Sequence, residues 1–369
     1  MIDDTNLLGA RTMTRLMTRV VGVTLLLSLA MSSAWAGSDG RKGTNGANEL
    51  LIPVGPRGSA LGDAVSSDVS GAEALYWNPA GLANLDGSEA LFSHTNYFAD
   101  MKVNYMAAAV KAGNLGNLGF SAKVLSVGDV IITTEAAPDG TGEIATPTFT
   151  VLGVSWARSF TDRVSFGATT NFVSENVLSM HASGMAFDFG VQYDTGWRGL
   201  KLGMTMKNLG PSMRYDGDNL DVSTQIPGSD PTASPRPLRF TTAAFEMPSY
   251  FSLSAITNVY HEGGGRLNLM GSFDNNNFVG DRFTAAAEWN YKQIASLRAS
   301  WFGTMKSTFD VDGNESVKLS GGDDLYSGLA IGAGMTVPAG GLKVGVDLSY
   351  RPVRNFFSDI LEFGVHAKF

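Results

Sequence analysis

Cysteine is absent from the 369 residues. That removes disulfide frameworks, thiolate metal sites and cysteine nucleophiles together. Charged residues make up 17% of the chain, well under the usual quarter. Proline is limited to 13 residues, too few for a collagen-like or proline-rich architecture. Beyond Met31 no apolar run approaches the length of a helical membrane span. The net charge of −8 argues against nucleic acid as a partner, since phosphate binding needs clustered cations.

Histidine is scarce as well. His94, His181, His261 and His366 are the only four, and none stands at metal-ligand spacing from another histidine or a carboxylate pair. Ser93 and His94 are adjacent on a strand-like stretch, where neighbours point to opposite faces and form no catalytic dyad. Ser179 and Ser183 flank His181, which reads as a solvated loop residue. Asp310, Asp312 and Asn314 have the one-three-five spacing of a calcium loop. Glu315 stands where that loop needs glycine and Gly321 where it needs glutamate. No catalytic, metal or cofactor site is expected, so the chain reads as a protein without enzymatic activity.

The N-terminus is patterned. Arg15 and Arg19 precede the apolar run Val20 to Met31, and Ala34 and Ala36 follow at small-residue positions. This is the three-part layout of an export signal, and residues 1–36 are expected to be removed after Ala36. Those residues carry two aspartates and three arginines, so the mature chain would stand at −9. Residues 37–49, polar and glycine-rich, read as a flexible leader.

From Ser88 onward, apolar residues alternate with polar residues or glycine, and glycine reaches 44 in all. In one stretch Val164, Phe166, Ala168, Thr170 and Phe172 alternate with Ser165, Gly167, Thr169 and Asn171; in another Leu342, Val344, Val346, Leu348 and Tyr350 alternate with Lys343, Gly345, Asp347, Ser349 and Arg351. Strands of this kind put one set on each face. A soluble sandwich buries the apolar face, whereas a transmembrane barrel turns it to lipid. Connection lengths separate the two. About fourteen segments of membrane-spanning length follow Ser88, starting near Ser88, Lys102, Leu118, Phe149, Arg163, Ser183, Leu200, Ser249, Arg266, Arg282, Ile294, Tyr326, Leu342 and Phe356. Connections after even-numbered segments are short. The long ones, Gly128 to Pro147, Gly210 to Pro248 and Thr304 to Leu325, all follow odd ones. Long loops on one side and tight turns on the other define an outer-membrane barrel. The even count also returns the C-terminus to the periplasmic side, and the N-terminus is placed there too. The expected fold is all-β: a transmembrane antiparallel barrel over residues 88–369, in contact with bilayer lipid and lipopolysaccharide. Its polar face offers lumen residues of both signs, among them Lys123, Arg163, Glu175, Lys201, Lys207, Arg282, Glu288, Arg298, Lys343, Asp347 and Arg351. Mixed signs favour ion pairs to something inside the lumen over an ion-selective ring.

One block does not alternate. Residues 50–87 hold Pro53, the run Gly55 to Ala64 (GPRGSALGDA) and the run Tyr76 to Ala83 (YWNPAGLA). Pro79 fixes its own φ and pushes Asn78 out of the α region, so the pair makes a defined turn. Gly71 to Trp77 is too short and alanine-rich for a strand and suits a helical turn. Tyr76 and Trp77 offer rigid contact area with polar tips to a wet barrel wall, and Gly55, Gly58 and Gly62 allow close backbone approach.

This block resembles the start of the PorV/PorQ family of outer-membrane proteins, in an apolar-Pro step, an Arg-Ala-Ala-like turn (here Arg57, Gly58 and Ser59, a mild departure), Gly-Asp-Ala at Gly62 to Ala64, and Tyr-Trp-Asn-Pro-Ala-Gly-Leu at Tyr76 to Leu82. That family is similar to the FadL-type barrels. The resemblance implies fourteen strands and a plug within the lumen formed by residues 50–87, with Pro53, Gly55, Arg57, Gly58, Gly62, Asp63, Tyr76, Trp77, Asn78, Pro79, Ala80, Gly81 and Leu82 as its motif. It also implies a binding role in type IX secretion, collecting clients with a C-terminal sorting domain from a translocon. The alternative is a FadL-like transporter of hydrophobic small molecules, and a third reading is an unplugged porin.

The last residues, Leu361, Phe363, Val365, Ala367 and Phe369, alternate up to a terminal aromatic, as in many outer-membrane barrels whose last strand is read by the barrel assembly machinery. Phe363, Val365 and Phe369 are therefore the expected assembly signal. Charge on the lipid face near an interface costs only about 0–1 kcal/mol. A large drop in membrane-inserted protein for Phe369→Asp, measured by outer-membrane fractionation, is therefore expected to report lost recognition; unchanged insertion refutes that role.

Overall fold

The computed structural model describes residues 41, 43–225, 228, 230, 234–309, 315–323, 325–354 and 357–369. The proposed export signal, residues 310–314 with the calcium-like spacing, and part of the proline-rich stretch between Pro227 and Pro237 lie outside the described residues.

Fourteen antiparallel strands form the wall. They are β1 (Glu89–Asn96), β2 (Lys102–Lys111), β3 (Asn117–Ser126), β4 (Thr148–Ser159), β5 (Val164–Val177), β6 (Met180–Asp194), β7 (Lys201–Leu209), β8 (Tyr250–Glu262), β9 (Gly265–Asn276), β10 (Arg282–Tyr291), β11 (Ala295–Phe309), β12 (Leu329–Ala339), β13 (Leu342–Arg351) and β14 (Ile360–Lys368). Each pairs with its sequence neighbours, and β1 pairs with β14 to close the barrel. The seam runs from Glu89 opposite Lys368 to Asn96 opposite Leu361. It is tightened by a Lys368–Glu89 ion pair of 3.3 Å and by the Phe369 amide donating to the Ser88 carbonyl at 2.8 Å. Full closure leaves no unpaired edge, as lipid requires of any spanning sheet.

The two faces are sorted as the alternation predicts for a membrane barrel. Phe92, Met106, Leu152, Phe172, Met204, Ile331 and Leu348 are exposed on the outside. Ser93, Ser155, Thr169, Asn171, Thr205, Ser254 and Ser272 are buried inside. Ser93 and His94 do point apart, Ser93 inward and buried and His94 outward against Phe363. Phe363, Val365 and Phe369 all lie exposed on the outer face. Aromatic rings gather at the short-turn rim, with Trp289 stacked on Tyr291 and Trp156 against Phe166, the position of an interfacial girdle. Among the described residues no helix is long and apolar enough to cross a membrane, which says nothing about strands.

Two expectations need correction. Arg163 and Lys343 are exposed, because they sit at the short-turn rim, beyond the packed interior; inward parity alone does not bury a side chain. The long loops carry short paired runs: Val130–Ile131 pairs with Ile144–Ala145, Asp221–Thr224 with Arg236–Arg239, and Glu315–Gly321 folds back on the outer end of β11. The N-terminus itself lies outside the described residues; the first described residues lie at the long-loop end. Arg41 pairs with Glu246 of the β7–β8 loop at 2.8 Å, and Asn45 bridges the same residue, whereas Phe369 lies at the opposite rim. The leader is thus not free from Asn45 onward; Ala47 and Glu49 are buried.

A closed barrel of this kind keeps its compact form in detergent until heated. The unheated protein is expected to migrate faster than the boiled protein on a denaturing gel; equal migration counts against closure.

Candidate functional site

The residues before β1 run through the barrel interior, from the long-loop rim at Asn45 to the short-turn rim at Gly87. They form a 3₁₀ turn (Asn48–Leu51), helix α1 (Pro56–Leu61), a second 3₁₀ turn (Gly62–Ser67), another (Gly71–Glu73), helix α2 (Ala74–Trp77) and a last 3₁₀ turn (Pro79–Asn84). Pro56 opens α1 and Pro79 opens the last turn, where a missing N–H costs nothing. Asn78 is extended, at φ −158° and ψ 106°, and its Oδ1 accepts the Ala80 amide at 3.1 Å. This is the turn that the Asn-Pro pair dictates.

Wall and segment fit through glycine. A side chain at Gly167 would strike the Pro79 backbone at 2.3 Å, and one at Gly190 would strike Asn78 Oδ1 at 2.0 Å. Gly203 makes room for Ser66, Gly332 for Ala60 and Gly364 for Pro56. These five inward glycines are therefore notches for this segment. Within the segment, Gly58 lies against the Trp77 indole and Gly81 against the Val69 carbonyl. Gly55 (φ +84°) faces Glu73, and Gly62 (φ +65°) faces Thr284. Ala80 and Leu82 are fully buried. Trp77 departs from expectation. It does not face the wall but turns into the segment, with its Nε1 donating to the Val54 carbonyl at 2.9 Å. Tyr76 does meet the wall, with Lys207 Nζ 3.8 Å and Lys123 Nζ 4.6 Å from its ring centre.

Charges bridge segment and wall. Arg57 forms a two-pronged pair with Glu288 at 2.9 and 3.1 Å. Glu288 also accepts from Arg298 at 2.9 Å, and Arg298 continues to Asp347 at 2.5 Å. Asp63 takes Arg282 at 3.0 Å and the Tyr250 hydroxyl at 3.2 Å. Asp68 takes Lys201 at 2.7 Å, Lys123 donates to the Ile52 carbonyl at 3.1 Å, and Arg351 donates to the Ser59 carbonyl at 2.7 Å. The sequence reading missed Gln192, which donates to the Ser66 and Val69 carbonyls, and Asn117, which donates to that of Leu82. Both lie on the inward parity of their strands, the one signal that marks them.

Above the segment, toward the long loops, lies a cavity of about 400 Å³. Pro53, Leu51 and Ile52 form part of its wall; Tyr76, Tyr97, Tyr250, Phe302 and Tyr326 supply aromatic surface. Its polar groups are largely turned on one another. Tyr97 and Tyr326 share a hydroxyl contact of 2.5 Å, the Arg351 guanidinium lies 5.1 Å from the Tyr326 ring centre, and that of Arg282 lies 5.2 Å from Phe302. What remains for a ligand is mainly ring face and aliphatic surface, the lining of a small-molecule site. Among the described residues no group of acidic or histidine side chains could hold a metal ion.

The sequence profile of an uncharacterised protein family (UPF0164) matches residues 26–173. No curated protein matches the sequence. Among solved structures, the CymD monoaromatic hydrocarbon channel superposes with a TM-score of 0.51 at 11% identity, covering 86% of this chain and 98% of that one. The Pseudomonas putida toluene transporter TodX gives 0.52 at 13% identity, over 84% and 96%. A TodX deltaS2S3 mutant gives 0.53 at 13%, over 86% and 98%. At such identities the likeness is one of fold: the chain is an outer-membrane-type barrel of the FadL-like architecture.

The first turn of the segment is clasped by the longest loop. Glu175 on β5 accepts from the Ala47 amide at 3.0 Å and from the Tyr215 hydroxyl, while Met213, Phe245 and Met247 pack on Ala47 and Leu50. Glu49, outside the spanning strands, sits in this clasp. Burial, and then the neighbouring Glu175 charge, raise its pKa from the ordinary 4.5 to about 8, with Lys123 opposing. A carboxyl raised in the folded state favours the clasp at low pH, and that contribution is lost as pH climbs from about 4.5 to about 8. Amide protection factors of residues 47–51 are expected to fall about tenfold per pH unit across that window and to stay flat in Glu49→Gln. A pH-dependent variant would show that another group governs the clasp.

Proposed function

We propose that this protein sits in the outer membrane and admits small hydrophobic solutes, with the inner segment acting as a plug and the aromatic cavity as the entry site. The observation that carries this reading is the cavity itself: ring-lined, open toward the long-loop side and floored by the segment. The solved barrels of similar fold are described as a monoaromatic hydrocarbon channel and a toluene transporter, which agrees with this choice of solute. Insertion would involve the barrel assembly machinery, and the wall would meet phospholipid on one leaflet and lipopolysaccharide on the other. No step calls for catalysis.

A second reading keeps to the PorV/PorQ resemblance, with type IX secretion clients carrying a C-terminal sorting domain as cargo and a translocon as neighbour. One feature favours it: the ribbon of Asp221–Thr224 and Arg236–Arg239 stands in the longest loop with Val222 and Leu238 exposed, a surface able to accept an extended chain.

Ala330 is buried, faces inward and borders the cavity. Ala330→Trp places an indole in it without touching the ribbon. Uptake of a labelled monoaromatic hydrocarbon by cells is expected to be largely lost in this variant, with normal gel mobility. Unchanged uptake, together with crosslinked capture of secreted proteins sharing a C-terminal domain, would replace the transporter reading with the shuttle.

A further inference from the structure

A second cavity, of about 520 Å³, lies at the short-turn rim on the other side of the segment. Residues 57–68 border both chambers, contributing Gly62 and Asp63 to one and Arg57 and Asp68 to the other. The two linings differ in kind. No large aromatic ring lines the inner chamber, and its cations outnumber its carboxylates.

Arg57, Arg266, Lys292 and Arg298 line it against Asp68 and Glu288. Both carboxylates are already engaged, Glu288 by Arg57 and Arg298 and Asp68 by Lys201 from just outside the lining. Arg266 has no hydrogen-bond or ion-pair partner among the described residues. The exposed Lys292 ammonium has no carboxylate partner among the described residues; it rests 5.3 Å from the outward-facing Tyr291 ring and would swing inward to meet a ligand. Elsewhere in the lumen the arginines are paired with acids or carbonyls: Arg282 with Asp63, Arg351 with Ser59. Within this chamber's lining Arg266 and Lys292, both exposed at the rim, stand without a carboxylate partner among the described residues, as Arg163 and Lys343 do elsewhere on the same rim.

A concave wall with surplus positive charge concentrates anions. A free guanidinium presents paired N–H donors that match carboxylate or phosphate oxygens, and an ammonium adds a point charge. The remaining lining supplies side-chain amides from Asn268 and Asn290, while the Ser296 hydroxyl already donates to the Gly334 carbonyl. The two amides suit the further oxygens of an oxyanion and offer nothing to a hydrocarbon.

We propose that the inner chamber is a binding site for a small oxyanion bearing two or more negative charges, a phosphate ester or a polycarboxylate, held chiefly by Arg266 and Lys292. The site is distinct from the aromatic cavity and does not depend on which solute that cavity takes.

Calorimetric titration of the full-length protein in uncharged detergent at low ionic strength tests this, with inorganic pyrophosphate and citrate as separate probes. Saturable binding that weakens with added salt is expected. Binding of pyrophosphate alone marks the phosphate class, citrate alone the carboxylate class, and both a site selecting on charge. Arg266→Gln/Lys292→Gln should bind at least about tenfold more weakly, from the loss of charge-assisted hydrogen bonds. Its unheated gel mobility should stay normal. Lys318→Gln, an exposed lysine at the other end of the barrel, should bind as the parent does. No saturable binding of either probe overturns the proposal. So does equal affinity in the double variant, or an equal loss in Lys318→Gln.

Discussion

A fourteen-stranded wall in lipid has its polar face turned inward, and at that girth its own side chains cannot fill the space they enclose. Everything inside follows from this. The inward acids and bases need partners, since an uncompensated charge in a dry interior is expensive. The chain answers with its own N-terminal segment, which brings Arg57 to Glu288, Asp63 to Arg282 and Asp68 to Lys201. The segment brings its own unpaired carbonyls as well, and Gln192, Asn117, Lys123 and Arg351 reach from the wall to meet them. Glycine at positions such as 167, 190 and 332 lets the two backbones approach closely enough for these bonds to form.

The barrel was legible because its code is local. Alternation repeats within each strand, and lipid outside with polar lumen inside makes the contrast strong. The strand starts read from sequence coincide with the observed ones at Lys102, Arg282 and Leu342; the largest gap is at the last strand, Phe356 against Ile360. That error arises because Phe356 and Phe357 read as the start of an apolar run, whereas Ser358 and Asp359 mark the border just before Ile360. The ribbons in the long loops escaped notice because each paired run is only two to seven residues long, too short for a period to show.

The interior was legible only in outline. The turn at Asn78 and Pro79 follows from proline sterics and stands as expected. Which wall residue meets which segment residue does not, because Arg57 and Glu288 are 231 positions apart and Ser66 and Gln192 are 126 apart. The direction of Trp77 was misread for the same reason: its partner, the Val54 carbonyl, is set by how the segment folds on itself. The rim at which Arg41 and Asn45 lie was also hidden, since their common partner Glu246 stands far along the chain.

The interior holds two chambers of opposite character divided by residues 57–68, one lined by rings and the other by cations. The claim that matters most is that the ring-lined chamber receives a hydrophobic solute. A crystal of the full-length protein soaked with a brominated monoaromatic compound tests it directly through the anomalous signal of bromine. The account expects a peak between Phe302, Tyr326 and Tyr76 inside the lumen. Bromine found only along the lipid-facing surface of the barrel would contradict it.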